Sequence, residues 1–240
     1  MLSKNQVKFI RGLKKKKIRQ SNQLFLAEGI KVVEELMKSS FKLHKIYCTA
    51  AYPNPLNIAD VQIITEKELH MISDFTNPNQ VIGVFEIPQE KEPRMDGLTI
   101  ALDDINDPGN LGTIIRLCDW FGVSQLICSK NTVDCFNPKV VQASMGSLTR
   151  VPIKYVNLTD YLSKESRIIY GTFLEGENIY KFKPDINSVI VLGNEANGIS
   201  DSIKALIQKK ITIPQFGEHH QTESLNVATA TAITLSEFNR

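Results

Sequence analysis

Three short blocks of this 240-residue chain place polar side chains and glycines where a hydrophobic run gives out. Asp107-Pro108-Gly109-Asn110-Leu111-Gly112 follows LTIALDD, with Arg116 and Phe121-Gly122 further on. Gly193-Asn194-Glu195, with Gly198, follows SVIVL. Ile213-Pro214 closes the short ITIP, and Ser224-Leu225-Asn226 opens the last apolar stretch. In an open α/β sheet, such strand-to-loop junctions are where ligands bind. Asn110 and Asn226 can each donate and accept hydrogen bonds, which suits holding a hydroxylated ligand or fixing a loop. Arg116 keeps its charge at neutral pH, so it can clamp an anion or stabilise a developing one but cannot act as a base. On a helix beginning near Asn110 it lies six residues in, under two turns, so both could face one cleft. The plain alternative is a surface arginine on an amphipathic helix. Glu195 ends an apolar strand, where an acid needs a partner: a substrate, Arg116, a cap or a salt bridge. Ser224 and Asn226 also suit the N-cap of the last helix, and Gly193 and Gly198 suit positive φ.

The elements that must position these residues follow from periodicity. Strands over Leu24 to Ala27, Lys45 to Cys48, Val61 to Ile64 and Val81 to Ile87 alternate with helices over Gly29 to Lys38 and from Thr65, where Glu68 completes a capping-box pattern. The turn-rich AAYPNPLN separates two of the strands. PQEKEPRMDG, Pro88 to Gly97, is charged and bounded by Pro and Gly, as a linker is. From Leu98 onward the order is LTIALDD, a helix from about Asn110, QLICS, a helix near Lys139 to Met145, RIIYGTF, SVIVLGN, a helix over about Asp201 to Gln208, ITIP, and a helix over about Leu225 to Glu237. Strand and helix in alternation imply α/β architecture with a mostly parallel sheet covered on both faces. The predicted division is residues 1–92 and 98–240. GxGxxG and Walker A sequences do not occur, which argues against a dinucleotide or P-loop enzyme.

Composition narrows the partners. Hydrophobic residues make up 42% and charged ones 22%, enough to bury a core, and no apolar run approaches the roughly 18 residues of a membrane span. A basic N-terminus without an apolar segment behind it predicts a protein that stays in the cytoplasm without membrane contact. Cys48, Cys118, Cys128 and Cys135 show no zinc-type spacing and read as reduced core residues. Charge is lopsided. Residues 1–20 carry Lys4, Lys8, Arg11, Lys14, Lys15, Lys16, Lys17 and Arg19 and no acid, so the rest of the chain is net −6 against a whole-chain +2. That is either a polyanion-binding arm or the solvated face of a helix, since Val7, Ile10 and Leu13 recur at helical spacing behind a possible Ser3 cap.

The three blocks together resemble the motifs of SpoU (TrmH-like) RNA ribose 2′-O-methyltransferases, a branch of the SPOUT superfamily. The resemblance covers nearly the whole chain, and residues 21–90, with FLAEGIKVVEEL, look like the small L30e-like α/β substrate-binding domain that often precedes the catalytic one. It implies a deep trefoil knot in the C-terminal domain, S-adenosylmethionine as cofactor, a homodimer paired through that domain, and structured RNA as substrate, ribosomal RNA preferred and transfer RNA the alternative. It carries catalytic roles onto Arg116, Asn110, Glu195, Ser224 and Asn226. It carries cofactor contacts onto Thr172, Leu174 and Gly176 of GTFLEG, and onto Leu192, Gly193, Ile213, Leu225 and Asn226. Lys8, Arg11, Lys14, Lys15, Lys16, Lys17 and Arg19 would then bind RNA. Ile213 and Leu225 would otherwise read as core. Asn137-Pro138-Lys139 and SMGSLTR at Ser144 to Arg150 also fit the pattern, as contacts to RNA or to a partner subunit.

One departure stands out. QFGEHHQTE, between Pro214 and Ser224, is longer than the family's usual loop and carries His219 and His220 beside Glu218 and Glu223. Adjacent histidines point apart in an extended chain and no third ligand is spaced for zinc, so no metal is expected and the loop reads as a substrate or interface element. A hydrolase using Ser224 with His219 or His220 lacks a nucleophile elbow. A non-catalytic RNA-binding assembly factor remains the alternative to an enzyme.

Overall fold

The computed structural model describes residues 1–52, 60–89, 92–94, 96–217 and 224–240. The turn at 50–57 and the linker at 88–97 therefore fall partly outside the described residues, and Glu218, His219, His220 and Glu223 wholly so. Two compact units form, Met1–Gln89 with Asp134–Thr149, and Glu90–Val133 with Arg150–Arg240.

The first unit begins where Ser3 and Gln6 close a capping box on α1, Lys4–Gly12, followed by α2, Lys16–Asn22. Then come β1, Leu24–Glu28, α3, Ile30–Met37, β2, Leu43–Cys48, β3, Val61–Ile63, α4, Glu66–Ile72, and β4, Val81–Glu86. Thr65 and Glu68 cap α4 reciprocally, as their spacing predicts. The sheet runs β1-β4-β2-β3, with only β2 and β3 parallel. Ile10 and Leu13 of the basic segment are buried with Leu26, Leu69, Ile72 and Ile82, which anchors that segment to the sheet.

The second unit carries β5, Thr99–Asp103, α5, Pro108–Trp120, and β6, Gln125–Ser129. The chain next forms α6, Pro138–Ser144, at the helix expected near Lys139 to Met145 in the second unit. That helix packs with the first unit instead: Val140 and Val141 are buried, Phe136 lies 4.8 Å from Phe25 between ring centroids, and Asp134 pairs with Arg19. Back in the second unit are β7, Ile153–Val156, α7, Leu158–Leu162, β8, Ile168–Asn178, β9, Ser188–Gly193, α8, Asp201–Lys204, β10, Lys209–Thr212, and α9, Val227–Phe238. The sheet order is β10-β8-β9-β5-β6-β7 and every pairing is parallel. β7 and α7 were not expected from periodicity. As an edge strand, β7 is only half buried along its length, so it lacks the apolar run that marks β5 and β9. α8 stops four residues short of its expected end because both the backbone N–H and the side-chain oxygen of Gln208 bond the backbone of Ile169, drawing the chain into the sheet.

Candidate active site

β5 and β9 lie side by side, and both end at polar loops. After β5, Asp107 caps α5 by accepting from the Asn110 N–H at 2.7 Å, with Pro108 in the first turn. After β9 the chain folds into a small hairpin, where Asn194 and Gly198 exchange backbone hydrogen bonds of 3.0 and 2.9 Å. At the start of α9, Asn226 is the N-cap: its Oδ1 accepts from Ala228 and Thr229 N–H groups at 2.9 and 3.4 Å. Because α9 packs against α5, the two helix starts are brought to the same place.

There the side chains form a directed relay. Asn226 Nδ2 donates to Asn110 Oδ1 at 2.9 Å, and Asn110 Nδ2 donates to Glu195 Oε1 at 2.8 Å. Both amide orientations are determined by chemistry. Asn226 must turn its oxygen to the helix N–H groups, leaving only its NH₂ for Asn110, and Glu195, ionised, can only accept. Glu195 also lies beside the first turn of α5, where the helix dipole favours an anion. So the partner that an acid after an apolar strand requires is Asn110. Arg116, the other candidate, makes no hydrogen bond or ion pair among the described residues. It is exposed on the outer stripe of α5 with Gly109, Thr113 and Trp120, the last 84% exposed. At six residues along the helix it stands about 120° around the axis from Asn110, so the two do not share a face.

Ser224 is exposed and does not cap α9, the role Asn226 takes. Gly198 has φ +68°, as expected, but Gly193 does not need positive φ; a Cβ there would sit 2.2 Å from the Gly198 carbonyl carbon. The hairpin's backbone turns back on itself, and only hydrogen fits between.

The residues carried over for the cofactor lie on the adjacent strands β9, β8 and β10. The register between β10 and β8 jumps from Lys210↔Gly171 to Ile211↔Glu177, and β8 pairs with β9 only as far as Gly171. Thr172 to Gly176 therefore leave both ladders. Gly176 permits this, since a Cβ would lie 2.8 Å from the Lys210 carbonyl group. Thr212 Oγ1 donates to Leu174 O at 2.9 Å and Thr172 Oγ1 to Val191 O at 3.3 Å, holding the excursion in place. Leu174 is 72% and Leu225 48% exposed, large apolar surfaces left bare by the described residues. Released main-chain groups beside bare leucines fit an adenosine, which needs edge hydrogen bonds and apolar faces. Leu192 is an exception: its side chain is core, so only its backbone could serve a ligand. Ile213 is partly buried.

The sequence motifs include Asn194 but assign no role to it, nor to Asp103 or Asp104. Asn194 Nδ2 donates to Asp104 O at 2.7 Å, and Asp103 Oδ2 accepts from Ser200 N–H at 2.7 Å, so both ends of the hairpin are tied to the end of β5. Asp104 has φ +63°, a conformation that Asp tolerates but no local pattern announces.

In the first unit, Lys8, Arg11, Lys15, Lys16 and Lys17 are exposed. Lys14 is half engaged, donating to Ser73 O at 3.2 Å and pairing with Asp74. Arg19 does not belong to the arm. It is 1% exposed, bonds the Leu13 and Lys14 carbonyls at 3.1 and 2.8 Å, and pairs with Asp134, so its guanidinium is spent inside the unit. All four cysteines are buried and none is in a disulfide, and burial pushes the Cys118 thiol up.

These features match known proteins along the whole chain. A family profile described as the SpoU rRNA Methylase family matches residues 97–236, and one for an MRM3-like substrate binding domain matches residues 4–83. A 23S rRNA guanosine 2′-O-methyltransferase of Bacillus subtilis is 32% identical over 96% of this chain and 95% of its own. A TrmH-family protein from Porphyromonas gingivalis superposes with a TM-score of 0.90 at 40% identity, covering 100% of this chain and 98% of that one. An rRNA methyltransferase from Sinorhizobium meliloti, solved with S-adenosylmethionine bound, superposes at 0.84 with 31% identity over 99% and 96%. With a directed amide relay at paired strand ends and a released backbone beside it that fits an adenosine, the chain belongs to the SpoU rRNA methylase family of S-adenosylmethionine-dependent RNA 2′-O-methyltransferases.

Proposed function

We propose that this protein methylates a ribose 2′-hydroxyl of ribosomal RNA, and that the Asn226–Asn110–Glu195 relay organises the reacting end of the site. The ribose oxygen bonds the methyl carbon as the sulfur–carbon bond breaks, and the hydroxyl proton leaves to a carboxylate or to water. S-adenosylmethionine supplies the electrophilic methyl group; Thr172, Leu174, Gly176, Gly193, Ile213 and Leu225 hold it. Glu195 Oε1 is occupied by Asn110, while Oε2 has no partner among the described residues, which supports a role in accepting the hydroxyl's hydrogen bond. Asn110 holds that carboxylate still. Arg116, exposed and without an ion pair among the described residues, clamps a phosphate and stabilises the developing alkoxide. Ser224 contributes a hydroxyl at the mouth of the site.

The basic arm, through Lys8, Arg11, Lys15, Lys16 and Lys17, gives RNA affinity. The enzyme works as a homodimer through the second unit, which would cover the exposed Trp120. Its last segments form a trefoil knot; the order β10-β8-β9, followed by an α9 that returns to α5, supports that threading. It acts in the cytoplasm, where buried thiols such as these four stay reduced.

The test is transfer of labelled methyl from S-adenosylmethionine to purified ribosomal RNA and to bulk transfer RNA, with digestion to locate the label. Ribose label in ribosomal RNA is the expected result; ribose label confined to transfer RNA would move the substrate. Arg116→Ala should lower the rate at least about 100-fold with RNA affinity nearly retained. An unchanged rate would favour a binding module.

A further inference from the structure

The hairpin that presents Glu195 also borders a cleft of about 430 Å³, within the roughly 300–1,000 Å³ range of small-ligand sites. It opens at the C-terminal ends of β5, β6, β7 and β9. The chain leaving β5 runs to β6 on one side, while the chain leaving β9 runs past β8 to β10 on the other. Ligand crevices in parallel sheets form where connections diverge in this way. None of the residues carried over for the cofactor lines this cleft.

Its most unusual member is Asp104. The backbone is held at φ +63°, with its N–H donating to Ser129 Oγ at 2.9 Å and its carbonyl accepting from Asn194 at 2.7 Å. The carboxylate has no partner among the described residues. Strain kept at a cleft, around an unpaired acid, is the kind that marks function. Lys130, exposed and likewise without a partner among the described residues, stands on the next strand's loop, and Val156, Leu158 and Ile203 supply apolar wall.

We propose that this cleft reads a guanine base of the substrate RNA, the Asp104 carboxylate accepting from N1–H and the 2-amino group while Lys130 donates to O6. This rests on the RNA-methyltransferase reading and goes beyond it, to the base the enzyme recognises. A carboxylate offers two adjacent acceptors and an ammonium only donors. Guanine alone presents two adjacent N–H donors beside a carbonyl; adenine, cytosine and uracil each turn at least one acceptor to the acid. Single-stranded or looped RNA can extrude such a base against an apolar wall.

The experiment is fluorescence anisotropy with uridine heptamers carrying one central guanosine, inosine or adenosine, at fixed low salt, with S-adenosylmethionine affinity measured in parallel by calorimetry. Inosine lacks only the 2-amino group. The guanosine heptamer should bind about tenfold tighter than the inosine heptamer, the scale of one hydrogen bond to a charged group, and the adenosine heptamer, which also lacks N1–H and O6, should bind more weakly still. Asp104→Asn should level guanosine with inosine, both still ahead of adenosine through Lys130, with cofactor affinity unchanged; Asn tolerates positive φ, so the backbone is not further strained. Lys130→Ala, at an exposed site, should weaken guanosine and inosine together. Equal binding of the three heptamers by the unaltered protein would overturn the proposal, as would a preference for guanosine over inosine that survives Asp104→Asn. Loss of cofactor binding in that variant would assign the cleft to the cofactor. Free GMP competing as well as the guanosine heptamer would assign it to a mononucleotide. A guanosine preference without methyl transfer to any RNA would uphold the pocket and count against the transferase.

Discussion

Asn226→Asp separates two jobs that one side chain performs. As N-cap, Asn226 uses Oδ1, and aspartate caps as well as asparagine while adding a charge that the helix dipole favours by about 0.3–1 kcal/mol. As relay, it uses Nδ2, which aspartate lacks. Asn110 would then face two acceptors, Glu195 and the new carboxylate, with a single NH₂ to give. Whichever way it turns, one bond is lost, at about 0.5–1.5 kcal/mol and toward the low end for groups this exposed. The terms nearly cancel. Stability should change by less than about 1 kcal/mol, or about 2–4 °C in melting temperature for a chain of this size. The rate should nonetheless fall about 10- to 100-fold, because a carboxylate released from its hydrogen bond wanders by an ångström or more. Melting temperature and initial methylation rate are the two measurements. Adding Glu195→Gln reverses the polarity of the chain: the new amide donates to the Asn110 oxygen while Asn110 donates to the new acid. The double variant should recover the lost interaction, as a positive coupling in a double-mutant cycle. If it also recovers rate, Glu195 acts by position; if stability returns without rate, its charge matters. A single variant with unaltered rate and melting temperature would refute the relay.

The remaining predictions test other parts of the molecule. Glu165 and Arg167 form an almost fully buried pair, with Arg167 Nε and Nη2 on the carboxylate at 3.0 and 2.6 Å and Nη1 on Gly97 O at 2.8 Å. Glu165→Ala should cost about 3–5 kcal/mol in denaturant unfolding by stranding the arginine. Burial raises the Glu165 pKa, but hydrogen bonds from Arg167 outweigh it and the carboxyl lies below its ordinary value. Its contribution is thus complete above the unfolded pKa near 4.5 and lost as pH falls through the folded one, so the variant should show a flatter acid-unfolding profile than the parent. Replacing Lys8, Arg11 and Lys15 by alanine should reduce the slope of log affinity for RNA against log salt by about 2–3, leaving cofactor affinity unchanged. Gly193→Ala should open the hairpin and weaken cofactor binding more than tenfold, while Gly198→Ala, with open space around it, should show only the roughly 1–2 kcal/mol of a strained φ. Equal effects at the two glycines would mean the close backbone approach is not what holds the loop.

What could be read ahead of the structure was local. Thr65 and Ser3 announce their helices because a cap and its helix lie within four residues, and β5 and β9 announce themselves because a buried parallel strand is an unbroken apolar run. Edge strand β7 has no such run. Two cap-forming residues, Ser224 and Asn226, precede α9 within one turn, and spacing cannot choose between them; a partner 116 positions away, Asn110, occupies the Asn226 NH₂. Arg19 looks like its basic neighbours until Asp134, 115 positions on, takes it inside. The α6 segment likewise joins the first unit through Phe136 and Asp134, contacts that no window along the chain contains. The motif residues were therefore recognisable as types, while their wiring was not. An amide is ambiguous by itself, and only the helix N–H groups at one end and the carboxylate at the other give the relay its direction, so its polarity belongs to the fold rather than to any one residue.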